Sequence, residues 1–341
     1  MKPLTVALLF GGQSNEHAVS CRSALTVFNA LQAGGYTVLP IGITQKGEWL
    51  LLRADPKALA DPNWENAPDL HPLTLAPDGW LCTHGGRAYR PDVAFPVLHG
   101  QGGEDGKVQG FLHCWGVPYV GCGVEASALS MNKILAKRLA KEVGVPTLPW
   151  WRCTPDTSPE ELSPHLPLFI KAVRSGSSLG AAAARTEEEL PVALSQALSV
   201  DGEALAEPFF SAKEVEVAVF DDGIRTVSEP AEIETGAVFY DFDTKYKSGT
   251  ARTYLPARIG AAQTALVKQY ASLVFDTLGC RHLSRVDFFV SPTHIYFNEI
   301  NTMPGFTPDS LYARMMERAG IDLPTLTARL VEAAYRDRHL R

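Results

Sequence analysis

The sequence predicts a multidomain fold of mixed α/β and α+β class, opened by a doubly wound parallel-sheet domain. Three observations predict it. The first residues read strand (Leu4–Phe10), Gly-Gly turn, helix (about Ser20–Ala33) and strand (Tyr36–Ile43), and a strand–helix–strand unit marks a parallel sheet. The middle of the chain alternates short strands with single helices, as a small α+β domain does. Near the C-terminus SRVDFFV and HIYFNEIN flank the turn Ser291-Pro292-Thr293, and their period of two suits an antiparallel hairpin.

The remaining elements follow in order. Lys46–Arg90 is irregular and rich in Pro, Asp and Trp, which suggests peripheral hairpins and loops. Val93–Leu98 reads as a strand ending in HGQGGEDG, followed by a helix over Val108–Trp115 and a short strand over Pro118–Val120. Residues 1–122 therefore form the expected first domain, with ligands at the carboxyl ends of its strands. A single helix is expected from about Ala126 to Val143, capped by Ser127 and stopped at Gly144-Val-Pro. Strands near Leu148–Cys153 and Leu168–Ala172, an acidic helix from Glu187 and the strand LAEPFF complete a second unit, 123–212. The rest, 213–341, begins with KEVEVAVF and carries two helices, Gln263–Leu278 and Asp309–Ala319.

Composition narrows the function classes. Of 341 residues, 45% are hydrophobic and 20% charged, ordinary values for a soluble globular protein. A net charge of −7 without a basic tract argues against nucleic acid. The six cysteines are scattered with no CxxC pair, which suits free thiols in a reducing cytoplasm. The apolar run in MKPLTVALLFGG ends in a glycine turn and reads as a buried strand rather than a signal sequence. No run approaches a membrane span of roughly 18 residues.

The C-terminal hairpin carries the most chemistry. Alternation places Arg285 and Asp287 on one face of its first strand, and Glu299 and Asn301 on one face of its second. With Asp287 opposite Glu299, a cation and three oxygen donors share one patch. Such hard donors suit magnesium or manganese better than zinc. A solvated hairpin face is the alternative, but the flanking Phe and Ile residues make both strands look buried, and buried carboxylates need partners.

Other motifs are weaker. RSGSSLG (Arg174–Gly180) can expose several N–H groups to a phosphate, but it lacks the GxxxxGK[ST] order of a P-loop. Lys171 just before it supplies an ammonium for phosphate oxygens. GCGVEA (Gly121–Ala126) mimics a dinucleotide fingerprint outside the first turn where that motif belongs, leaving an oxidoreductase as a minor alternative. HGQGGEDG sets His99 and two acids at a strand's carboxyl end, where substrate contacts gather. Glu16, at the same sheet edge, is a carboxylate suited to an ammonium.

Taken together, GGQSNEHAVS, HGQGGEDGKVQG, GVEASALSMNK, RSGSSLG, FYDFDTKY and SRVDFF…NEINTMPGFTPDSL closely resemble the D-alanine–D-alanine ligases of the ATP-grasp superfamily, over nearly the whole chain. The resemblance implies an ATP-grasp fold with ATP held between the second and third units. It also implies ligation of two D-alanines for peptidoglycan precursors, in a cytoplasmic homodimer. Glu16 would hold the ammonium of the first D-alanine, with His99 near its carboxylate. Lys133, Lys171 and the loop Ser177, Ser178 and Gly180 would bind phosphates, with Glu207, the Phe209 backbone and Glu214 at adenine and ribose. Asp287, Glu299 and Asn301 would hold two magnesium (or manganese) ions. Lys245, Ser310 and Leu311 would take the second D-alanine, and Arg285 and the Gly305 N–H the oxyanion. A lid at about 235–254 would bring Tyr246 to Glu16 and Ser177. Relatives that use D-lactate depart at the Tyr246 position.

This chain departs from the frequent residues at Ala18 (Glu), Ala172 (Pro) and His282 (Gly or Ala). Glu16 and His99 separate the reading from other ATP-grasp ligases, which share the hairpin alone. The intact Arg285, Asp287, Glu299 and Asn301 set argues against a catalytically silent nucleotide-binding module.

Overall fold

A computed structural model describes residues 3–75, 81–83, 86–234 and 252–339. Its first strand, β1 (Thr5–Gly11), is buried along nearly its whole length, as an unbroken apolar run requires at the centre of a parallel sheet. Helix α1 (His17–Ala33) follows, then β2 (Thr37–Ile43). β1 pairs in parallel with β2 and with β7 (Val93–Pro96). Between these, β3 (Trp49–Leu52), β4 (Leu70–Leu75), β5 (Leu81–Thr83) and β6 (Ala88–Tyr89) extend the sheet antiparallel, in the order β6-β5-β4-β3-β2-β1-β7. The irregular stretch is thus a sheet edge. The turn after β1 needs glycine: Gly11 has φ +85, and a Cβ there would stand 2.4 Å from the Ile43 carbonyl oxygen.

Helix α2 (Lys107–Trp115) leads to a single parallel bridge, Ala94 to Tyr119, where a strand is expected. The expected long helix over Ala126–Val143 is two: α3 (Val124–Met131) and α4 (Lys133–Glu142). Asn132 breaks them. Its extended backbone (φ −85, ψ 99) starts a new helix, and its side chain accepts from the N–H groups of Ile134 and Leu135. The break matters because it sets Lys133 at a helix start, with its N–H donating to the Val173 carbonyl at 3.2 Å.

The second sheet, in the order β10-β9-β11-β8, contains β8 (Trp151–Cys153), β9 (Leu168–Ala172), β10 (Ala182–Ala184) and β11 (Ala204–Pro208). Short α5 (Pro159–Leu162) and longer α6 (Leu190–Asp201) lie beside it, with Leu190, Ala193, Leu194 and Ala197 sharing a core with Leu168 and Ile170. The acidic run Glu187–Glu189 is a 3-10 turn ahead of α6.

The third sheet joins β12 (Lys213–Asp221), β13 (Arg225–Val227), β14 (Ala231–Glu234), β15 (Arg252–Tyr254), β16 (His282–Val290) and β17 (Ile295–Asn301). Helix α7 (Ala261–Thr277) packs Val267, Ala271, Val274 and Phe275 against Val215, Val217 and Val219. Ala218 and Phe220, on the other face of β12, meet α8 (Leu311–Arg318) and α9 (Leu323–Arg336). Helix α9 is not among the expected elements, although its signals are present: an Asp322 cap, Pro in the first turn and buried Leu326, Leu330, Val331 and Ala334. Together α8 and α9 fuse the cores of the first and third sheets.

His282 explains why glycine is frequent there. Its φ is +62, and the ring repays the strain by accepting from the Gly121 N–H at 3.0 Å through Nδ1 and reaching Asp337 at 3.0 Å through Nε2. The GCGVEA turn is part of the same joint, with Arg281 Nε donating to the Gly121 carbonyl at 3.1 Å.

On β14, Glu232 is 2% exposed and ties Lys213 (3.1 Å) to Arg258 (2.6 Å). Burial opposes its ionisation, but the Arg258 side chain and N–H and the Lys213 ammonium outweigh it and hold the carboxyl down at about 2. A depressed carboxyl stabilises the fold above the ordinary carboxylate range and ceases to as pH falls through about 2. Glu232→Gln is therefore expected to lower the melting temperature at pH 7, with the gap to wild type narrowing steadily below pH 4.5.

Candidate functional site

Two cavities meet where the three sheets converge. One, of about 580 Å³, is walled by Glu16, His99, Asn301, Gly305, Ser310 and Leu311. The other, of about 470 Å³, is walled by Lys171, Ser178, Glu207, Phe209, Glu214 and Asp287. Lys133, Ser177, Arg285 and Glu299 line both. Gly180 lines neither; it packs against α6, where an added Cβ would stand 2.7 Å from Val200. Lys245 and Tyr246, with the lid segment up to residue 251, lie outside the described residues, while Arg252–Tyr254 form β15.

The hairpin forms the floor. In its register Asp287 lies opposite Glu299, and Arg285 opposite Asn301. Arg285 grips Asp287 in two parallel bonds, Nε to Oδ1 at 2.8 Å and an η nitrogen to Oδ2 at 2.6 Å. It also reaches Glu216 on β12 at 3.2 Å. Burial opposes the guanidinium's charge, but the Asp287 and Glu216 carboxylates outweigh it and raise Arg285 well above its ordinary value. Glu299 pairs with Lys133 at 3.3 Å, and Asn301 Oδ1 accepts from the Met303 N–H at 3.0 Å. A β-bulge follows Asp287, which faces Glu299, while Phe288 faces Phe297. Asn298 is the extra residue, and the bulge re-aims it: its Oδ1 accepts from Lys171 Nζ at 2.8 Å. Strict alternation cannot anticipate that contact.

The roof is the glycine–serine loop. Ser177 and Ser178 have φ +50 and +57, a left-handed pair that costs about 1–2 kcal/mol per residue. Contacts on both sides hold it: Ser177 Oγ donates to the Glu16 carboxylate, Lys133 Nζ to the Ser175 carbonyl, and Ser175 Oγ to the Leu179 carbonyl at 3.2 Å.

Behind the phosphate-side wall lies a buried charge chain. Glu207 Oε2 is 2.9 Å from Lys171 Nζ, and Oε1 is 2.7 Å from Lys137 Nζ. Burial opposes ionisation of Glu207, yet the two ammoniums hold its carboxyl below the usual range. Burial pushes the Lys137 ammonium down to about 8 against the pull of Glu207. Glu207, expected at adenine and ribose, lines the second cavity and aims its carboxylate at two lysines. The Phe209 N–H is engaged by the Pro167 carbonyl at 2.9 Å.

His99 is 5% exposed and held at both nitrogens. Nδ1 lies 3.2 Å from the Met303 carbonyl, which only accepts, so Nδ1 carries a proton. Nε2 meets Ser23 Oγ at 3.2 Å, and Ser23 Oγ accepts from the Phe306 N–H at 3.3 Å. This relay fixes the first domain's glycine turn to the 303–306 loop, although Ser23 carries no sequence signal beyond lying seven residues after Glu16, two turns along α1. Ser23→Ala removes a buried hydrogen bond, worth about 1–2 kcal/mol. The expected result is a melting temperature lower by a few degrees, read in thermal unfolding curves.

Among the described residues, Glu16, His99 and Glu104 bring ligand atoms within 4.8 Å of one another. Glu104 accepts from the Gly100 N–H at 3.0 Å and Glu16 from Ser177, as Asp287 and Glu299 are engaged by Arg285 and Lys133. The hairpin's Asp287, Glu299 and Asn301 are the better fit to a hard dication, since every donor is oxygen and adjacent strands set them in register. No described helix is long and apolar enough to cross a membrane.

Known proteins resemble this chain over nearly its whole length. Residues 5–122 match the family described as D-ala D-ala ligase N-terminus, and residues 139–332 match D-ala D-ala ligase C-terminus. The D-alanine–D-alanine ligase of Chlorobium phaeovibrioides is 40% identical over 98% of both chains. That of Mycobacterium tuberculosis is 39% identical over 96% of this chain and 95% of its own. Among solved structures, the VanG D-Ala:D-Ser ligase from Enterococcus faecalis superposes with a TM-score of 0.89 at 34% identity, covering 98% of this chain and all of its own. The D-alanine–D-alanine ligase from Coxiella burnetii gives 0.89 at 32% identity, covering 100% of this chain and 96% of its own.

Proposed function

The chain belongs to the D-alanine–D-alanine ligase family, and from that premise we propose that its two joined cavities ligate two D-alanines with ATP, releasing ADP and phosphate. The product is the D-alanyl-D-alanine of cell-wall precursors. The observation that carries the reading is the shared wall: Lys133, Ser177, Arg285 and Glu299 face both cavities, so a nucleotide in one delivers its γ-phosphate to a carboxylate in the other.

Hydroxide is too poor a leaving group for a carboxylate and an ammonium to condense directly. The first D-alanine's carboxylate is therefore phosphorylated; the second D-alanine's amine then attacks, and phosphate leaves. Glu16 pairs with the first ammonium, beside His99. Lys133, Lys171 and the Ser177–Ser178 loop neutralise and position phosphates, which phosphoryl transfer needs more than covalent help. The cavity between Phe209 and Glu214 takes adenine and ribose. Arg285, with the Gly305 N–H, stabilises the tetrahedral oxyanion, and Ser310 at the start of α8, with Leu311, seats the second D-alanine. Asp287, Glu299 and Asn301 would hold two magnesium or manganese ions, which when bound would neutralise and align the transferring phosphoryl group. Lys245 and Tyr246 join from the lid. The domain division is 1–122, 123–212 and 213–341, and the enzyme works as a cytoplasmic homodimer.

The test is phosphate release from ATP with D-alanine, compared with L-alanine, D-serine and D-lactate, and product identification by mass. D-alanyl-D-alanine is expected from D-alanine alone. No D-alanine-dependent phosphate release would sink the proposal.

A further inference from the structure

The proposed chemistry assigns no task to Lys137, a fully buried cation (0% exposed). We propose that Lys137 is a positioning residue for nucleotide binding: it holds the Glu207 carboxylate, and through it the Lys171 ammonium, at the phosphate side of the second cavity. The inference rests on that cavity's being the nucleotide site.

The geometry is a chain of four groups on four elements. Lys133 and Lys137 stand one helical turn apart on α4, so they share a face. Lys133 turns to Ser175 and Glu299. Lys137 turns inward, donating to the Phe297 carbonyl on β17 at 3.1 Å and pairing with Glu207 on β11 at 2.7 Å. The other oxygen of Glu207 pairs with Lys171 on β9 at 2.9 Å, and Lys171 also donates to Asn298 at 2.8 Å. Its four-carbon stem is thereby pinned at two points.

Charge gives the reason for the buried lysine. An ammonium on a flexible stem needs an anchor, and a carboxylate is a strong one. Glu207 alone, however, would neutralise Lys171 and weaken its attraction for phosphate. With Lys137 on the far oxygen, two ammoniums share one carboxylate, and the cluster stays cationic toward the cavity. Glu207 thus anchors Lys171 without cancelling it. A buried ion pair is by itself weak evidence of a stabilising role.

The test is calorimetric binding of ADP with magnesium, together with KM for ATP and for D-alanine, in Lys137→Met, Lys137→Arg and Lys137→Met/Glu207→Gln. Lys137→Met is expected to bind ADP about tenfold more weakly and to raise KM for ATP while leaving KM for D-alanine unchanged. Lys137→Arg is expected to recover most of the affinity. In the double variant Lys171 loses its carboxylate but keeps its bond to Asn298 at 2.8 Å; with folding checked by its melting curve, it is expected to bind ADP several-fold more weakly than wild type. Wild-type ADP affinity in either Met variant, even with a lowered melting temperature, would leave Lys137 a purely structural group and overturn the inference. Failure of the wild type to bind ADP would instead remove the nucleotide site itself, and the inference with it.

Discussion

Asp287→Asn and Glu299→Gln are each expected to lower kcat by about three orders of magnitude with the fold intact. Each removes one of the two carboxylates that face each other across the hairpin. A dication's stabilisation of phosphoryl charge is worth several kcal/mol, and each 1.36 kcal/mol is a factor of ten. The amide is nearly isosteric and still accepts from Arg285 or Lys133, so packing survives. Melting curves separate this from unfolding, and a magnesium titration separates weakened ion binding from lost chemistry. Near-normal turnover of either variant at saturating magnesium would show that the hairpin holds no catalytic ion.

Arg285→Lys is expected to lower kcat by about two to three orders of magnitude with smaller changes in either KM. One oxyanion donor is typically worth about 3–4 kcal/mol, and Lys keeps the charge while losing the planar fork. That fork spans Asp287 and Glu216 at once. Lysine cannot hold both carboxylates and face an oxyanion, whereas an apolar residue would strand the buried Glu216 and the partly buried Asp287 and confuse catalysis with folding. If the Arg285→Lys variant turned over at the wild-type rate, Arg285 would be a structural tie between β12 and β16 alone.

Much of this was legible in one dimension. The unbroken apolar run of β1 and the Gly-Gly turn announce the parallel sheet, because backbone sterics and burial act over a few residues. The period of two in β16 and β17 places Arg285 and Asp287 on one face of the first strand and Glu299 and Asn301 on one face of the second, and the register makes these a single patch. The helix α9 was equally legible from its Asp322 cap and apolar spacing. The break between α3 and α4 was harder, since the helical pattern runs through Asn132 and only its side-chain cap shows the interruption.

Local chemistry, then, was enough to settle the fold class and the hairpin, since each depends on neighbours within a few residues. Tertiary packing alone decided that a bulge aims Asn298 at Lys171, that Ser23 holds His99, and that Lys137 is buried against Glu207 instead of facing water. Those contacts join residues from 70 to 127 positions apart in the chain, from Lys137–Glu207 to Lys171–Asn298, and no pattern within a single helix or strand encodes which distant surface will desolvate a given charge.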